Sequence, residues 1–361
     1  MKKKLRVAIL FGGKSAEHEI SLISARNIVE AMDKHRYEVI AIGIDKQGRW
    51  HLDESANLLL GKSETKVEYR DAKNAAAIMP GDSATPMVRP TGAGLGVIDV
   101  VFPILHGPFG EDGTVQGLLK LANLPFVGAS VLGSAVGMDK DVMKRLLRDA
   151  KIPVGKFLAF NRSEKISFAK VKKALGMPLF VKPANLGSSV GISKVIKAGE
   201  FAAAVKEAFR YDNKIVIEEF IKGREIECSV LGNEKPIASL PGEIVVNRDF
   251  YSYDAKYVDD RGARLEIPAR LPKATIKKVR DMAVHVYKAL NCEGMGRIDF
   301  FVQANGQVVV NEINTIPGFT KISMYPKMWQ ASGISYSKLI DRLIQLAIQR
   351  HRAEKRLRTS K

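Results

Sequence analysis

Carboxylate and amide side chains stand among apolar residues late in the chain, in the segment GRIDFFVQANGQVVVNEIN. Its Asn-Gly dipeptide predicts a tight turn between two strands, because both residue types tolerate the positive φ angles that such turns need. If the loop has an even number of residues, the strands pair Asp299 with Glu312 and Arg297 with Asn314. Side chains alternate across a strand, so these residues are expected to share one face.

The same count puts four further residues on that face, paired as Phe301 with Val310 and Gln303 with Val308. Opposed carboxylates repel each other, and apolar surroundings make uncompensated charge costly. A divalent cation would resolve the conflict, since Asp, Glu and Asn supply the oxygen ligands that suit Mg²⁺. The alternative is a solvated edge hairpin in which Arg297 pairs locally with Asp299. A one-residue bulge would change the register on which the cation site depends.

A lysine at the end of an apolar strand marks a second candidate site, in LFVKPANLGSSVGISKV. Lys182 closes the first strand, and Gly187, Ser188 and Ser189 form a small-residue loop before the chain returns. Backbone N–H groups of such a loop can cradle phosphates while a lysine at its base supplies a point charge. The alternative is a plain hairpin with an exposed lysine. The apolar residues before Lys182 favour an anionic partner for it.

Glutamates cluster around the end of a later strand, in IEEFIKGREIEC, at Glu218, Glu219, Glu225 and Glu227. Carboxylates at a strand end can accept hydrogen bonds from an adenine amino group or from ribose hydroxyls. A solvated acidic turn explains the same pattern equally well.

The elements that must position these residues begin with an alternation of strand and helix patterns in the first third of the chain. This alternation predicts an α/β domain with a doubly wound parallel sheet. Ligands of such sheets bind beyond the carboxyl ends of the strands, so the loops at 12–19 and 106–113 are expected to border one cleft. Residues 51–96 have a weak pattern and are expected to form loops and an excursion. A change to β-rich segments predicts a domain boundary near residue 138.

Composition and charge narrow the class of protein. No apolar run approaches the ~20 residues of a membrane span, and the apolar stretch near the start is too short for a signal peptide. Cys228 and Cys292 show no pairing pattern, which favours a reducing, cytoplasmic setting. The formal net charge is +18, but half of it lies at the two ends of the chain and no nucleic-acid-binding motif accompanies it. We therefore expect anionic small-molecule substrates, with neither nucleic acid nor a membrane as partner.

Motifs in a fixed order resemble the D-alanine–D-alanine ligase family of the ATP-grasp superfamily. They are ILFGGKSAEHEIS, LHGPFGEDGTVQG, VGMDK, VKPANLGSSVG, IEEFIKGREIEC, FYSYDAKY, GRIDFF and NEINTIPGFTKISMYP. Only residues 51–96 and the basic tail lie outside the resemblance. It implies mixed α/β and α+β architecture, with a substrate-binding α/β domain at 1–138 followed by a two-part ATP-grasp fold. The two parts are expected at 139–230, with the adenine site, and at 231–361, with the lid, metal and catalytic site.

The resemblance also implies the contacts of ATP and of two Mg²⁺ ions, for which Mn²⁺ is a possible substitute. Lys140 and Lys182 are expected at the phosphates, Glu218 at the adenine and Glu225 at the ribose. The full nucleotide set that it implies is Lys140, Lys182, Ser188, Ser189, Glu218, Glu219, Phe220, Ile221, Glu225 and Lys256. The implied metal ligands are Asp299, Glu312 and Asn314, with Glu312 bridging both ions.

For the amino-acid substrates, the resemblance implies that Glu19 binds the ammonium group of the first D-alanine, with His106 close by. Arg297 and the N–H of Gly318 would stabilise the oxyanion, and Ser323 with the Met324 backbone would receive the second carboxylate. A lid at residues 247–264 would close the site, and its Tyr257 would join Ser188 and Glu19 in a hydrogen-bonded triad. The implied catalytic residues are thus Glu19, Ser188, Tyr257, Arg297, Gly318 and Ser323.

The implied reaction activates one D-alanine as an acyl phosphate and couples it to a second, for peptidoglycan precursor synthesis. Relatives that make D-alanyl-D-lactate lack a tyrosine at the position of Tyr257, which favours D-alanine as the second substrate here. Among enzymes, the alternative is a ligase of the same fold that uses D-lactate or D-serine as acceptor. The alternative of a different functional class is a basic, nucleotide-sensing binding protein without turnover. The resemblance further implies a homodimer.

Overall fold

The computed structural model describes residues 3–52, 77–78, 87–88, 95–246 and 263–358. Its helices are α1 (His18–Ala31), α2 (Thr114–Leu121), α3 (Val131–Met138), α4 (Lys140–Asp149), α5 (Phe168–Leu175), α6 (Phe201–Ala208), α7 (Lys273–Ala289), α8 (Met324–Ala331) and α9 (Tyr336–Glu354). Among these described helices, none combines the length and the apolar character that crossing a membrane requires.

The strands alternate with these helices and assemble into sheets. They are β1 (Leu5–Gly12), β2 (Tyr37–Ile44), β3 (Trp50–His51), β4 (Ala77–Ile78), β5 (Met87–Val88), β6 (Val100–Ile104), β7 (Phe157–Asn161), β8 (Leu179–Pro183), β9 (Ser193–Val195), β10 (Lys214–Glu219), β11 (Arg224–Leu231), β12 (Ile237–Ala238), β13 (Gly242–Val246), β14 (Ala263–Glu266), β15 (Met295–Val302) and β16 (Val308–Asn314). Most of the excursion predicted at 51–96 and of the lid predicted at 247–264 lies outside the described residues.

The first sheet has the order β3-β2-β1-β6, in which β1 pairs in parallel with both β2 and β6. Alternate residues of β1 point to opposite faces, and both faces are buried. Val7 packs in one core with Ile28 of α1 and Leu343 of α9, whereas Leu10 packs in another with Leu119 of α2. The predicted doubly wound parallel sheet is confirmed. Because α9 covers it, the C-terminal end of the chain completes the first core.

The second sheet has the order β7-β10-β8-β9, with antiparallel pairing throughout. Val171 of α5 and Phe201 of α6 pack against its apolar strand residues, including Val181 and Ile217. The β8–β9 pair is the predicted hairpin around the small-residue loop, with Val181 opposite Ser193. This sheet therefore places Lys182 and Glu218 on neighbouring strands.

The third sheet runs β14-β13-β11-β15-β16, with β12 paired to β11, and α7 packs on one face. Strand β11 spans the boundary predicted between residues 230 and 231. It pairs along its whole length with β15, from Arg224 opposite Val302 to Leu231 opposite Met295. The predicted boundary thus falls inside β11, and the third sheet includes residues from Arg224 onward.

The β15–β16 hairpin keeps the predicted pairs Asp299–Glu312 and Arg297–Asn314, but reaches them by another route. Near the turn the pairing is offset by one residue from the prediction, because the loop holds an odd number of residues. Phe300 faces Val310, Phe301 faces Val309 and Val302 faces Val308. A β-bulge then adds one residue to β16 and restores the predicted register. The predicted pairs Phe301–Val310 and Gln303–Val308 are wrong, and the buried Val308 and Val310 lie on the core face.

Candidate active site

Two adjoining cavities are bordered by residues of the second and third sheets and by the loops that follow β1 and β6. The first, which we name the Arg297 cavity, has a volume of about 420 Å³ and is lined by Glu17, His106, Ser188, Arg297, Asn314 and Ser323, among others. The second, the Lys182 cavity, has a volume of about 390 Å³ and is lined by Lys144, Phe180, Lys182, Glu218, Phe220 and Glu225, among others. Residues shared by the two linings are Leu186, Gly187, Ser188, Ile244 and Glu312.

Glu17, rather than Glu19, points into the cleft at the carboxyl ends of β1 and β6. Its side chain is buried, and its Oε1 accepts a hydrogen bond from Ser188 Oγ. Glu19 lies in the first turn of α1, where its side chain is 66% exposed and pairs with Lys46 at 3.0 Å. The contact predicted between Glu19 and Ser188 is therefore wrong. The helix begins at His18, so the residue before it faces the cleft and the residue after it faces solvent.

His106 presents an unprotonated ring nitrogen to the Arg297 cavity. Its Nδ1 lies 2.9 Å from the carbonyl oxygen of Ile316, and a carbonyl only accepts hydrogen bonds, so Nδ1 carries the proton. Burial lowers the pKa of His106, which keeps the ring neutral. The buried Nε2 has no hydrogen-bond partner among the described residues. A ligand N–H or O–H placed here would satisfy an acceptor that is otherwise costly to bury.

Arg297 lies between two carboxylates on the face that the third sheet turns toward the cavity. Its guanidinium donates to both oxygens of Asp299 at 2.8 Å, and its Nε is 2.9 Å from Glu227 Oε2. The ion pair that the sequence offered as the alternative to a metal site is thus present. It coexists with the Asp299–Glu312 pairing, so the two interpretations do not exclude each other.

The three predicted metal ligands share this face with Arg297. Glu312 Oε2 lies 3.6 Å from Lys140 Nζ, which also donates to the carbonyl of Leu186 at 2.5 Å. The side-chain oxygen of Asn314 is buried without a hydrogen-bond partner in the described part of the chain. An orphaned amide oxygen beside two carboxylates fits a hard cation such as Mg²⁺. Within the described ranges no three His, Cys, Asp or Glu side chains are grouped to hold a metal ion.

The loop before α8 holds the remaining predicted substrate contacts. Ser323 directly precedes α8, and its Oγ accepts a hydrogen bond from the N–H of Thr320 at 2.9 Å. A Cβ on Gly318 would lie 2.8 Å from that same Oγ, so the close approach requires glycine. Met324 buries its side chain against Ile244, which leaves its backbone at the helix N-terminus as the group that could meet an anion.

A buried charge network fills one wall of the Lys182 cavity. Lys182 Nζ lies 2.9 Å from Glu218 Oε2, and Lys144 Nζ lies 3.4 Å from Glu218 Oε1. Burial favours the protonated form of Glu218, but the two lysines outweigh it and lower the pKa to about 2. Burial also lowers the pKa of Lys144, against the attraction of Glu218. The predicted anionic partner of Lys182 is therefore a protein carboxylate in the absence of a ligand.

An aromatic and backbone wall lies opposite this network. Phe220 is partly exposed, with its ring centroid 6.2 Å from that of Phe180 and 5.0 Å from Lys194 Nζ. Glu219 accepts a hydrogen bond from the backbone N–H of Lys156 at 2.7 Å. Its carboxylate is therefore bound to a different part of the chain from that of Glu218. The remaining predicted nucleotide contacts that line this cavity are Ser188, Ser189, Glu218, Ile221 and Glu225.

The β8–β9 loop joins the two cavities in a strained conformation. Ser188 and Ser189 both have positive φ angles, of 51° and 60°, in the left-handed region that non-glycine residues seldom adopt. Such strain concentrates at sites that bind or react. Lys256 and Tyr257, predicted on the lid, lie outside the described residues.

Sequence reasoning missed several residues that the structure brings to the site. Lys144 follows Lys140 by four positions on one amphipathic helix, a spacing that puts both on the same face. Glu17 precedes Glu19 in the same motif but lies before α1 begins, so no helical period marked it. Glu227 was named in the glutamate cluster, but the structure brings it to Arg297 in the other cavity.

Comparisons with known proteins agree along the whole chain. Models of the D-ala D-ala ligase N-terminus and the D-ala D-ala ligase C-terminus match residues 6–129 and 146–345. A D-alanine--D-alanine ligase of Shouchella clausii is 55% identical over 99% of this chain and 98% of its own length.

Solved structures of similar proteins superpose on most of the chain. A D-alanine-D-alanine ligase from Coxiella burnetii has a TM-score of 0.87 at 43% identity and covers 98% of this chain and 96% of its own. The VanG D-Ala:D-Ser ligase from Enterococcus faecalis has a TM-score of 0.85 at 37% identity, covering 96% and 100%. A D-alanine--D-alanine ligase from Bacillus anthracis complexed with ATP has a TM-score of 0.73 at 28% identity, covering 97% and 99%.

The predicted family and ATP-grasp fold are thereby confirmed. Both terminal family models match, in order, on a chain whose full length aligns with ligases of the same name. The chain belongs to the D-ala D-ala ligase family.

Proposed function

We propose that the protein joins two D-alanines into D-alanyl-D-alanine, with ATP converted to ADP and phosphate, for peptidoglycan precursor synthesis. This proposal rests on one observation: two cavities lined by different charged groups lie next to each other. One has lysines around an aromatic wall and suits a nucleotide. The other has an arginine between carboxylates and buried acceptor atoms, and it suits a small zwitterion. Glu312 and Ser188 line both, so the two ligands would meet there.

The reaction needs two bond exchanges. The carboxylate oxygen of the first D-alanine attacks the γ-phosphorus of ATP, and the P–O bond to ADP breaks. The amine of the second D-alanine, having lost a proton, then attacks the acyl carbon, and phosphate leaves. Both steps depend on positioning and charge neutralisation rather than on a covalent enzyme nucleophile.

The Lys182 cavity would hold ATP with its base against the Phe180–Phe220 wall. Lys182 and Lys140 would then lie toward the phosphates, with the N–H groups of the strained Ser188–Ser189 turn above them. Glu218 keeps Lys182 oriented before ATP arrives, because it is buried and held by two lysines. Glu225 would face the ribose hydroxyls.

Two Mg²⁺ ions, with Mn²⁺ as a possible substitute, would be held by Asp299, Glu312 and Asn314. When bound they would neutralise the phosphate charge that the lysines leave uncompensated. Asp299 would give up part of its bidentate contact with Arg297 to do so. Arg297 would thereby become available to the oxyanion of the tetrahedral adduct, together with the Gly318 N–H.

The first D-alanine would bind with its ammonium group at Glu17 and near His106 Nε2. Glu17 carries the role that the sequence assigned to Glu19, since only Glu17 reaches Ser188 in the structure. The second D-alanine would place its carboxylate at Ser323 and the Met324 N–H. Tyr257 on the predicted lid would complete the triad with Ser188 and Glu17 and help exclude water from the acyl phosphate.

The direct test is ADP release by the purified protein with ATP, Mg²⁺ and D-alanine, D-lactate or D-serine as sole acceptor. We expect turnover with D-alanine and formation of the dipeptide by mass spectrometry. Turnover that requires D-lactate or D-serine would favour the alternative acceptors, of which D-serine is suggested by the similarity to the Enterococcus faecalis ligase. ATP binding without ADP release under any condition would favour a nucleotide-binding protein without turnover.

We also propose that the protein is a cytoplasmic homodimer. Cys228 and Cys292 are buried and unpaired with each other, and burial raises the pKa of both thiols to about 12. Such thiols are inert, as expected in a reducing compartment.

Sedimentation at micromolar concentration tests the oligomeric state, with a monomeric mass as the contrary result.

A further inference from the structure

A buried carboxylate outside the predicted site ties two of its loops together. Glu111 lies in the loop after β6, is 7% exposed and lines the Arg297 cavity. Its Oε2 accepts the N–H of Gly107 at 2.8 Å, and its Oε1 accepts the N–H of Ile316 at 3.0 Å. One side chain thus spans two loops that are about two hundred residues apart in sequence.

A second hydrogen bond joins the same two loops, and in it the loop after β6 is the donor instead of the acceptor. His106 donates from Nδ1 to the carbonyl oxygen of Ile316. The backbone N–H and C=O of Ile316 are therefore both held by the loop after β6. Gly318, whose N–H is proposed to face the oxyanion, follows two residues later. With Ile316 fixed on both sides, the position of that N–H depends on the loop at 106–111.

We propose that Glu111 is a positioning residue that sets the oxyanion-binding loop at 316–318 relative to the first amino-acid site. It touches neither ATP nor the reacting atoms and acts through the Ile316 N–H. This inference rests on the proposed function, because the oxyanion belongs to that reaction. A misplacement of about 1 Å in such a donor can lower the rate about 100-fold.

The charges around Glu111 link this positioning to pH. The groups that face it are Glu17, His106 and Arg297. Burial, followed by the charge of Glu17, raises the pKa of Glu111 to about 8, while the two N–H groups and Arg297 oppose the rise. The two accepted bonds are strongest for the ionised carboxylate. A substrate ammonium group beside Glu17 would offset that charge, favour ionisation of Glu111 and tighten both bonds.

The test compares Glu111→Gln with Gln116→Met. Glutamine keeps the size of Glu111 but turns an NH₂ group toward one of the two N–H donors. Gln116 is also buried and donates to the Gly110 carbonyl at 2.7 Å, so its hydrogen bond lies within the same loop. Its replacement therefore loosens the loop internally and leaves the bridge to residue 316 intact.

We expect Glu111→Gln to lower kcat about 30- to 100-fold with little change in the ATP KM. Affinity for a phosphinate analogue of the tetrahedral adduct should fall by a similar factor, while ADP affinity stays within about twofold. Gln116→Met should change kcat less than about threefold. The pH profile of kcat/KM, which reports the free enzyme, should lose its rise toward pH ~8 in Glu111→Gln, since that side chain does not titrate.

Hydrogen exchange of the peptide around residues 315–318 supplies a readout that needs no turnover. We expect faster exchange there in Glu111→Gln than in Gln116→Met. Equal losses of kcat and of thermal stability in both variants, with unchanged exchange at 315–318, would overturn the proposal and leave Glu111 a purely structural residue. Failure of the wild-type protein to release ADP would instead contradict the proposed function.

Discussion

The Lys182 cavity and the Arg297 cavity differ in how their polar groups are satisfied before a ligand binds. In the Lys182 cavity, Glu218 forms ion pairs with two lysines from neighbouring elements, so each of its carboxylate oxygens faces a cation within the protein. In the Arg297 cavity, His106 Nε2 and Asn314 Oδ1 are buried without hydrogen-bond partners among the described residues. One cavity is organised in advance, and the other holds acceptors that a ligand must complete.

This difference follows from how each cavity is built. The Lys182 network joins α4, β8 and β10, whose strands pair directly and fix the side chains by regular geometry. The Arg297 cavity combines paired strand residues of the third sheet, such as Arg297 and Asn314, with the loops after β1 and β6, the β8–β9 loop and the segment before α8, which meet only through tertiary contacts. We therefore expect substitutions in the first cavity to act on stability and nucleotide affinity, and those in the second to act on turnover.

Among the substitutions that test this contrast, the largest loss of activity is expected for Glu312→Gln, because Glu312 lines both cavities. The substitution would remove a carboxylate proposed to hold the metal ions and the ion-pair partner of Lys140, so kcat should fall about 1,000-fold. The measurement is ADP release with thermal unfolding in parallel. Asn311→Ala, on the neighbouring residue, is the matched control. Near-normal turnover by Glu312→Gln would contradict the metal assignment.

A stability effect is expected next, for Glu218. Its folded-state pKa lies below the ordinary value of 4.5, so its stabilisation is present above pH ~4.5 and is lost as pH falls toward 2. Two and a half pKa units correspond to about 3 kcal/mol as an upper figure. The free energy of unfolding of wild type minus that of Glu218→Gln, from urea titrations, should shrink between pH 5 and pH 2.5. A constant difference would show that the lysines do not hold the carboxylate ionised.

The paired variants Glu17→Gln and Glu19→Gln test the correction at the first amino-acid site. Glu17→Gln should lower kcat/KM for D-alanine about 100-fold, because a buried carboxylate that meets the substrate ammonium is lost. Glu19→Gln should stay within about twofold, since its side chain is exposed and its pair with Lys46 is a surface ion pair. The reverse ranking would restore the assignment made from the sequence.

The smallest effect is expected for Tyr257→Phe. This variant tests whether the Arg297 cavity alone determines the choice between D-alanine and D-lactate as acceptor. The ratio of D-alanine to D-lactate turnover should fall a few-fold, because the variant would lack the hydroxyl proposed for the triad but keep the aromatic ring. Competition of the two acceptors in one reaction, read by mass spectrometry, measures the ratio directly. An unchanged ratio would place acceptor choice within the cavity itself.

Regular elements made much of this arrangement predictable from sequence. The parallel sheet and the β8–β9 hairpin follow from alternation of apolar residues and from turn signals. The Asp299–Glu312 pairing was predicted from an even loop, whereas the structure reaches it through an odd loop and a β-bulge. Eight motifs in order supplied the family. The choice between Glu17 and Glu19 was not predictable in the same way, since it depends on the residue at which α1 begins, and helix ends are poorly defined by sequence.

Tertiary contacts between distant loops account for the rest. Nothing near Glu111 in sequence indicates that it would accept the N–H of Ile316, because that contact depends on how two separate loops meet. The strand β11 was divided at residue 230 because its membership in the third sheet rests on pairing with β15, more than sixty residues later. Lys144 carried a readable signal in its spacing from Lys140, but its burial against Glu218 required the fold.

The bulge in β16 makes it possible to change the direction of the predicted metal ligands without changing their cross-strand pairing. It sets Asn311 and Glu312 of one strand against Asp299 of the other. Deleting Asn311 would leave each remaining cross-strand pair with its present partner and each side chain on its present face. Only the local bend and twist that a bulge imposes would change. A shortened hairpin of this kind could therefore report how much of the activity depends on a few degrees of carboxylate direction.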